Sequence, residues 1–294
     1  MESMNLGWIG TGMMGRSMCS HLLAAGHRLS IHNRTPEKAK ALTDAGALWC
    51  KSPAEVAENS DIVFTIVGFP ADVEEVILGN SGVLAGARPQ STIVDMTTSS
   101  PALARTIYEK AKTHEIDALD APVSGGDVGA REATLTIMVG GDETAYQRCL
   151  PLFQIMGKNI ARMGNAGAGQ HTKMSNQISI AGTMIGVVES LLYTWKAGLD
   201  LNAVIDVIGQ GAAGSWSINN LGRRIAKGDF NPGFLIKHFV KDMEIALDEA
   251  RRVNLSLPGL SLAHQFYRAA MAQGLENLGT QGLYKVFSAM NGSP

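Results

Sequence analysis

The segment Gly10-Thr11-Gly12-Met13-Met14-Gly15 restricts most severely what this chain can fold into. It follows the apolar run Leu6-Gly7-Trp8-Ile9 and opens a stretch, 14–25, whose apolar residues fall at helical spacing. A strand that passes through glycines straight into a helix begins a βαβ unit. Gly10 makes the tight turn, Gly12 lets the backbone approach a pyrophosphate, and Gly15 lets helix and strand pack closely. Thr11, Met13 and Met14 complete the phosphate loop. The unpaired N–H groups of the helix N-terminus then face the phosphates. A chain with 33 glycines also meets this spacing by chance, so the weight rests on the strand–turn–helix context; a tight turn without ligand is the alternative.

The rhythm continues beyond the loop. Leu29-Ser30-Ile31-His32 reads as a second strand and Glu37–Ala45 as a helix, while Asp61–Val67 and Ser91–Asp95 read as further buried strands. A helical stretch runs from Pro101 to about Thr113. These segments predict a parallel sheet covered on both faces. Ile116–Asp120 and Thr134–Val139 read as two more strands, the latter alternating Thr134, Thr136 and Met138 against Leu135, Ile137 and Val139. After residues 164–169 no strand pattern follows. From Gln170 to Lys196 apolar residues recur at helical spacing over roughly seven turns. Residues 200–290 are helical segments separated by breakers at 209–214, Asn231-Pro232-Gly233 and Leu257-Pro258-Gly259. The predicted fold is α/β: a Rossmann-type doubly wound sheet over residues 1–164, then residues 165–294 as a long interdomain helix and an all-α domain.

Composition narrows the partners. With 294 residues, 45% of them hydrophobic and 18% charged, the chain can bury two cores. A formal charge of -2 offers no broad attraction for nucleic acid or anionic lipid, which points to a small-molecule partner. Cys19, Cys50 and Cys149 are odd in number, far apart and without metal-ligand spacing, so neither a disulfide framework nor a metal site is expected, and the compartment is expected to be reducing and cytoplasmic. Residues 1–9 do not read as a targeting segment, and no uncharged apolar run reaches the roughly 18 residues of a membrane span.

The end of the second strand bears on the cofactor. An acidic residue about 20 positions past the glycines would bond the adenosine ribose of NAD. Here Asn33-Arg34-Thr35 stands instead. Arg34 can pair with a 2′-phosphate, Asn33 and Thr35 supply uncharged donors, and no carboxylate of that segment opposes the phosphate, which favours NADP and leaves NAD possible. Thr35-Pro36-Glu37 also reads as a plain helix start, with Thr35 as N-cap; both readings can hold together.

Two later segments carry chemistry. Asp120-Ala121-Pro122-Val123-Ser124-Gly125-Gly126 follows a strand and either aims successive N–H groups at a carboxylate or is an ordinary turn. Residues 167–176 place Lys173 and Asn176 three apart near the start of the long helix, hence on one face. The helix macrodipole disfavours a lysine there, and an apolar continuation asks for another reason, such as proton transfer by an amine whose pKa its surroundings lower. Of the histidines, His21, His27, His32 and His114 read as surface or turn residues, and His171 and His238 as structural or solvated ones near the motifs.

Taken together, Gly7–Gly15, Val94-Asp95-Met96-Thr97-Thr98, Asp120–Gly126, Gly167–Asn176 and Phe234 through Lys241-Asp242 make the chain resemble the β-hydroxyacid dehydrogenase family along nearly its whole length. That family includes 3-hydroxyisobutyrate dehydrogenases, tartronate semialdehyde reductases and glyoxylate/succinic semialdehyde reductases. The resemblance implies Lys173 as the catalytic lysine, Ser124, Gly125 and Gly126 as the substrate-carboxylate site, and Asn176 as the residue orienting substrate. It also implies Thr98 and Lys241 at the nicotinamide end, Phe69-Pro70 in a loop over the cofactor, and a homodimer or homotetramer with the active site in a cleft between the halves. The chain departs from the family at Gln177, where a second Asn is common. Asn33-Arg34-Thr35 and Lys237-His238 resemble the NADPH-using semialdehyde reductases, whereas Ser215-Trp216-Ser217 resembles the hydroxyisobutyrate-type members, with Trp216 read as core packing before substrate contact. The expected activity is NADP-preferring interconversion of a short carboxylate-bearing semialdehyde and its hydroxy acid. The alternatives are an NAD-dependent 3-hydroxyisobutyrate dehydrogenase and a non-catalytic dinucleotide-binding module, against which Lys173 argues.

Overall fold

A computed structural model of the chain describes residues 2–292 and divides into two compact units between Lys173 and Met174. The first unit runs β1 (Asn5–Ile9), α1 (Met13–Ala24), β2 (Arg28–His32), a 3-10 turn (Pro36–Ala39), α2 (Lys40–Asp44), β3 (Leu48–Trp49), α3 (Pro53–Glu58) and β4 (Ile62–Thr65). It continues with α4 (Pro70–Leu78), α5 (Val83–Gly86), β5 (Thr92–Asp95), α6 (Pro101–Lys112), β6 (Asp117–Asp120), β7 (Val123–Ser124), α7 (Gly126–Arg131), β8 (Leu135–Gly140), α8 (Glu143–Met156) and β9 (Gly157–Gly164).

The sheet order is β3-β2-β1-β4-β5-β6-β8-β7, with β9 paired to β8. From β3 to β6 every pairing is parallel. The strands alternate between two buried faces: Leu6, Trp8, Ile62, Phe64, Val94 and Leu119 enter one core, and Val63, Ile93 and Ala118 the other. Helices on both faces make such strands apolar on both sides, which is why their sequences read as short continuous hydrophobic runs. The parallel run ends at β8, which is antiparallel to β6 and β7 and parallel to β9. Between β6 and β8 the chain passes through β7 and the six-residue helix α7, and β8 returns antiparallel to both strands. Strands β3, β7 and β9 are absent from the sequence reading.

Helix α9 (Ala168–Lys196) spans the division between the units. In the second unit its Met174, Ala181, Met184, Val187, Val188, Leu191 and Leu192 join a single core with residues of α10 (Leu201–Ile208), α11 (Arg223–Ala226), α12 (Ile236–Arg252), α13 (Pro258–Ala272) and α14 (Leu283–Met290). A π-helical turn, Ser217–Gly222, precedes α11. No strand occurs in this unit among the described residues. By length and composition alone α9 is apolar enough to cross a membrane, with a mean hydropathy of 1.3 over 18 residues, of which 39% are buried inside the protein. Every such window contains Lys173 or Glu189, so the helix holds no uncharged stretch of that length.

Candidate functional site

Three strands end in one register row. Thr65 pairs with Asp95 and Asp95 with Asp120, at the carboxyl ends of β4, β5 and β6, and Thr65 also pairs with Ile9 at the end of β1. The chain order reverses beside β1, between β2 on one side and β4 on the other. Open α/β sheets bind ligands outside the carboxyl ends at such a switch point.

The glycine loop lies there. Gly10 has φ +98°, and a Cβ on it would fall 2.1 Å from the Ile66 carbonyl oxygen of the neighbouring loop. A Cβ on Gly15 would fall 2.1 Å from the Gly10 oxygen, so α1 can begin against β1 only without a side chain there. Gly12 differs: no protein atom lies within 4 Å of its would-be Cβ. The Thr11 hydroxyl is buried without a hydrogen-bond partner, whereas its N–H donates to Asn33 Oδ1 (2.9 Å). Open space over Gly12 and an orphaned hydroxyl beside it, at a helix N-terminus, fit a phosphate-bearing ligand. Met13 at the start of α1 is exposed and Met14 packs against the first core.

Asn33 is partly occupied in structural work, since its Nδ2 also donates to the Thr35 carbonyl (2.8 Å). Thr35 precedes the 3-10 turn with Pro36 at its first position, yet its side chain makes no capping bond. The guanidinium of Arg34 stands 3.2 Å from Asp72 Oδ1. The 33–35 segment holds no carboxylate, as expected, but Asp72 reaches Arg34 from α4, 38 residues on. Asp72 Oδ2 accepts from the Phe69 N–H (3.0 Å) and so caps the helix that Pro70 begins.

Segment 95–99 is held from beneath. Asp95 Oδ1 accepts from Thr65 Oγ1 (2.8 Å) and from the Thr97 N–H (3.1 Å), and Thr97 Oγ1 accepts from the Val67 N–H (3.0 Å). Burial pushes the Asp95 carboxyl up to about 6 against these hydrogen bonds. Thr98 is half-buried between Thr97 and Ser99, both buried. Gln170 ties this segment to the start of α9: its Nε2 donates to the Thr97 carbonyl (2.7 Å) and its Oε1 accepts from the Ser99 N–H (2.9 Å). One turn further along α9 lies Lys173, with 6% of its surface exposed.

At the β7–α7 junction Ser124 is half-buried, and Gly125 and Gly126 take φ +130° and +63°, backbone that side chains rarely adopt. In the second unit, Asn176 Nδ2 donates to Gln177 Oε1 (2.7 Å), and Gln177 Nε2 donates to Asp242 Oδ2 (2.7 Å). The Lys241 ammonium lies 2.8 Å from Asp242 Oδ1. Gln177, the departure from the family pattern, thus links Asn176 to the Lys241–Asp242 pair. Gln170 and Asp72 carry no role in the sequence reading, which names Gln177 only as a departure from the family and Asp242 only as part of a motif.

Two expectations need correction. His27 is buried, its Nδ1 accepting from the Met4 N–H (3.3 Å), and burial lowers its pKa. Trp216 is 60% exposed, which a core residue is not. The three cysteines are free and buried, and burial pushes the Cys149 thiol up to about 12.

Comparison with known proteins gives consistent results. The NAD binding domain of 6-phosphogluconate dehydrogenase matches residues 5–164, and the NAD-binding domain of NADP-dependent 3-hydroxyisobutyrate dehydrogenase matches residues 167–287. A probable 3-hydroxyisobutyrate dehydrogenase-like protein of Arabidopsis thaliana is 52% identical over 97% of this chain and 86% of its own length. The 2-hydroxy-3-oxopropionate reductase of Escherichia coli is 39% identical over 98% of both chains. Among solved structures, 3-hydroxyisobutyrate dehydrogenase of Mycobacterium tuberculosis with L-serine superposes with a TM-score of 0.88 at 30% identity, covering 97% of this chain and 99% of that one.

Proposed function

The chain belongs to the β-hydroxyacid dehydrogenase family of NAD(P)-dependent oxidoreductases, and from that premise we propose that it is an NADP-preferring enzyme interconverting a short carboxylate-bearing semialdehyde and its hydroxy acid, with Lys173 as proton donor and acceptor. The burial of Lys173 within the first two turns of α9 carries this reading. Lysines are seldom buried to this degree without a dedicated role, and the macrodipole gives none at a helix start. When bound, the nicotinamide supplies hydride to the carbonyl carbon or takes it back. Lys173 Nζ stabilises the developing alkoxide and delivers a proton to its oxygen; in the reverse direction it accepts the hydroxyl proton. Ser124 and the N–H groups of Gly125 and Gly126 hold the substrate carboxylate. Asn176 orients the substrate, while Thr98, Lys241 and the Phe69-Pro70 loop serve the nicotinamide end. Arg34 receives the 2′-phosphate.

Lys173→Ala is expected to bind NADPH as the parent does and to lose about 1,000-fold in kcat; near-native turnover sinks the assignment. Initial rates with glyoxylate and with succinic, tartronate and methylmalonate semialdehydes, each against NADPH and NADH, select the substrate and cofactor. One observation favours a second reading, an NAD-using 3-hydroxyisobutyrate dehydrogenase: the Asp72 carboxylate beside Arg34 opposes a phosphate. We further place the enzyme in the cytoplasm, where its three free cysteines stay reduced, as a homodimer or homotetramer. The solvent-facing small residues Ser175, Ser179, Gly182 and Gly186 of α9 leave room for a second helix, and light scattering at a multiple of 31.2 kDa is the expected result.

A further inference from the structure

Helix α9 begins without a capping side chain of its own, because the residue before its first is Gly167. Such a start leaves backbone N–H groups without a helical partner, and here Gly167 and Gln170, which carry two of them, are buried. Asp120, 47 residues earlier at the end of β6, meets that need: its Oδ1 accepts from the Gly167 N–H (2.7 Å) and its Oδ2 from the Gln170 N–H (2.8 Å). These are the two N–H groups that a capping residue and its reciprocal partner normally serve within one segment. The carboxylate is 4% exposed and tightly walled. A Cβ on Gly140 would fall 2.4 Å from Asp120 Oδ1, and one on Gly169 would fall 2.9 Å from Oδ2. Both neighbours are therefore glycines, and the helix start rests directly on the strand end.

We propose that Asp120 is a positioning residue that acts through Lys173: it sets the height and direction of the first turn of α9, and with them the place of the ammonium one turn later. Gln170 extends the same device sideways. Its backbone N–H is held by Asp120, and its fully buried side chain grips Thr97 and Ser99 on either side of Thr98. These hydrogen bonds tie the first turn of α9 and the 97–99 segment to the carboxyl ends of β5 and β6. Both carboxylate oxygens are needed, since an amide has one acceptor oxygen and its NH2 faces a second donor. A misplacement of about 1 Å at a reacting group costs on the order of 100-fold in rate. The proposal rests on the reading of Lys173 as the proton donor.

The test is a cycle of Asp120→Asn, Lys173→Ala and the double variant, with kcat and KM for glyoxylate and succinic semialdehyde under NADPH, and NADPH affinity from nucleotide fluorescence. Asp120→Asn is expected to lower kcat about 100-fold, with KM within roughly threefold and NADPH affinity within twofold of the parent. The double variant is expected to be no slower than Lys173→Ala alone. An equal loss in the Lys173→Ala background, a loss confined to KM or cofactor affinity, or a kcat within threefold of the parent overturns the positioning role. Near-native turnover of Lys173→Ala overturns the reading beneath it, and is told apart because it appears in the single variant. Should Asp120→Asn not fold by circular dichroism, Gln170→Met carries the test. It keeps the helix and its backbone cap but releases Thr97 and Ser99, with about a tenfold loss in kcat expected and an unchanged kcat overturning the proposal.

Discussion

Arg34 holds 89% of its side chain in solvent, with Asp72 at one nitrogen. An exposed pair of this kind is worth at most about 1 kcal/mol, whereas a phosphate engages a guanidinium through two charge-assisted bonds. On the proposed reading, a 2′-phosphate displaces Asp72 from Arg34. Arg34→Ala is expected to raise KM for NADPH about tenfold or more and leave KM for NADH unchanged; equal effects on both remove the contact. Asp72→Asn separates competition from structure. Its amide oxygen still accepts from the Phe69 N–H, so the start of α4 stands while the charge goes. A lower KM for NADPH is expected in steady-state rates, and an unchanged one shows that Asp72 does not compete.

At the scale of elements, the helix carrying the proposed lysine depends on long side-chain links as well as on its core stripe. Gln177 reaches both Asn176 and Asp242, each at 2.7 Å. Asparagine, common at this position in the family, is one methylene shorter and cannot span both. Gln177→Asn is expected to cost about 1–3 kcal/mol in urea denaturation, because Asp242 is left buried with one fewer donor; a change under about 0.5 kcal/mol marks the link as idle. In the first unit Phe64 stacks on Trp8 (5.5 Å between centroids) and meets Phe153 edge-on (6.3 Å), so Phe64→Ala is expected to cost roughly 3–5 kcal/mol by the same measurement. These apolar strands were legible because burial on both faces writes itself into a run such as Ile62–Thr65. Strand β9 was not: Lys158, Asn159, Ala161 and Met163 are exposed, and such a polar stretch at the sheet's margin carries no continuous apolar signature. Of the site, the glycine loop and the buried Lys173 were visible from local spacing. Asp120 under α9 and Asp72 beside Arg34 were not, since each partner lies 38 or more residues away and no periodicity reports it.

At the scale of the whole molecule, the sheet row concentrates negative charge where a dinucleotide-binding fold meets its ligand. Asp95 and Asp120 pair across β5 and β6, and burial, with the repulsion of Asp120 added at Asp95, lifts each carboxyl from its ordinary 3.8 to about 6. A raised carboxyl means that the folded chain holds its proton more tightly than the unfolded chain does. The associated stability is fully present below pH 3.8 and is lost as pH rises through about 6, the reverse of a salt-bridged carboxylate. At about 1.4 kcal/mol per pH unit, the two together take away several kcal/mol across that window. Asp229, lowered to about 2 by Arg224, acts only below it. Asp95→Asn removes one of the two charges and relieves the other, while its amide oxygen still accepts from Thr65 and Thr97. Both carboxylates lie in the first unit, so the slope belongs to the transition that melts it. Between pH 4 and pH 6.5 the parent is expected to lose roughly 2–3 kcal/mol more stability than Asp95→Asn in parallel urea titrations. Superimposable slopes for the two proteins mean that Asp95 is already ionised at pH 4, held there by donors stronger than its burial.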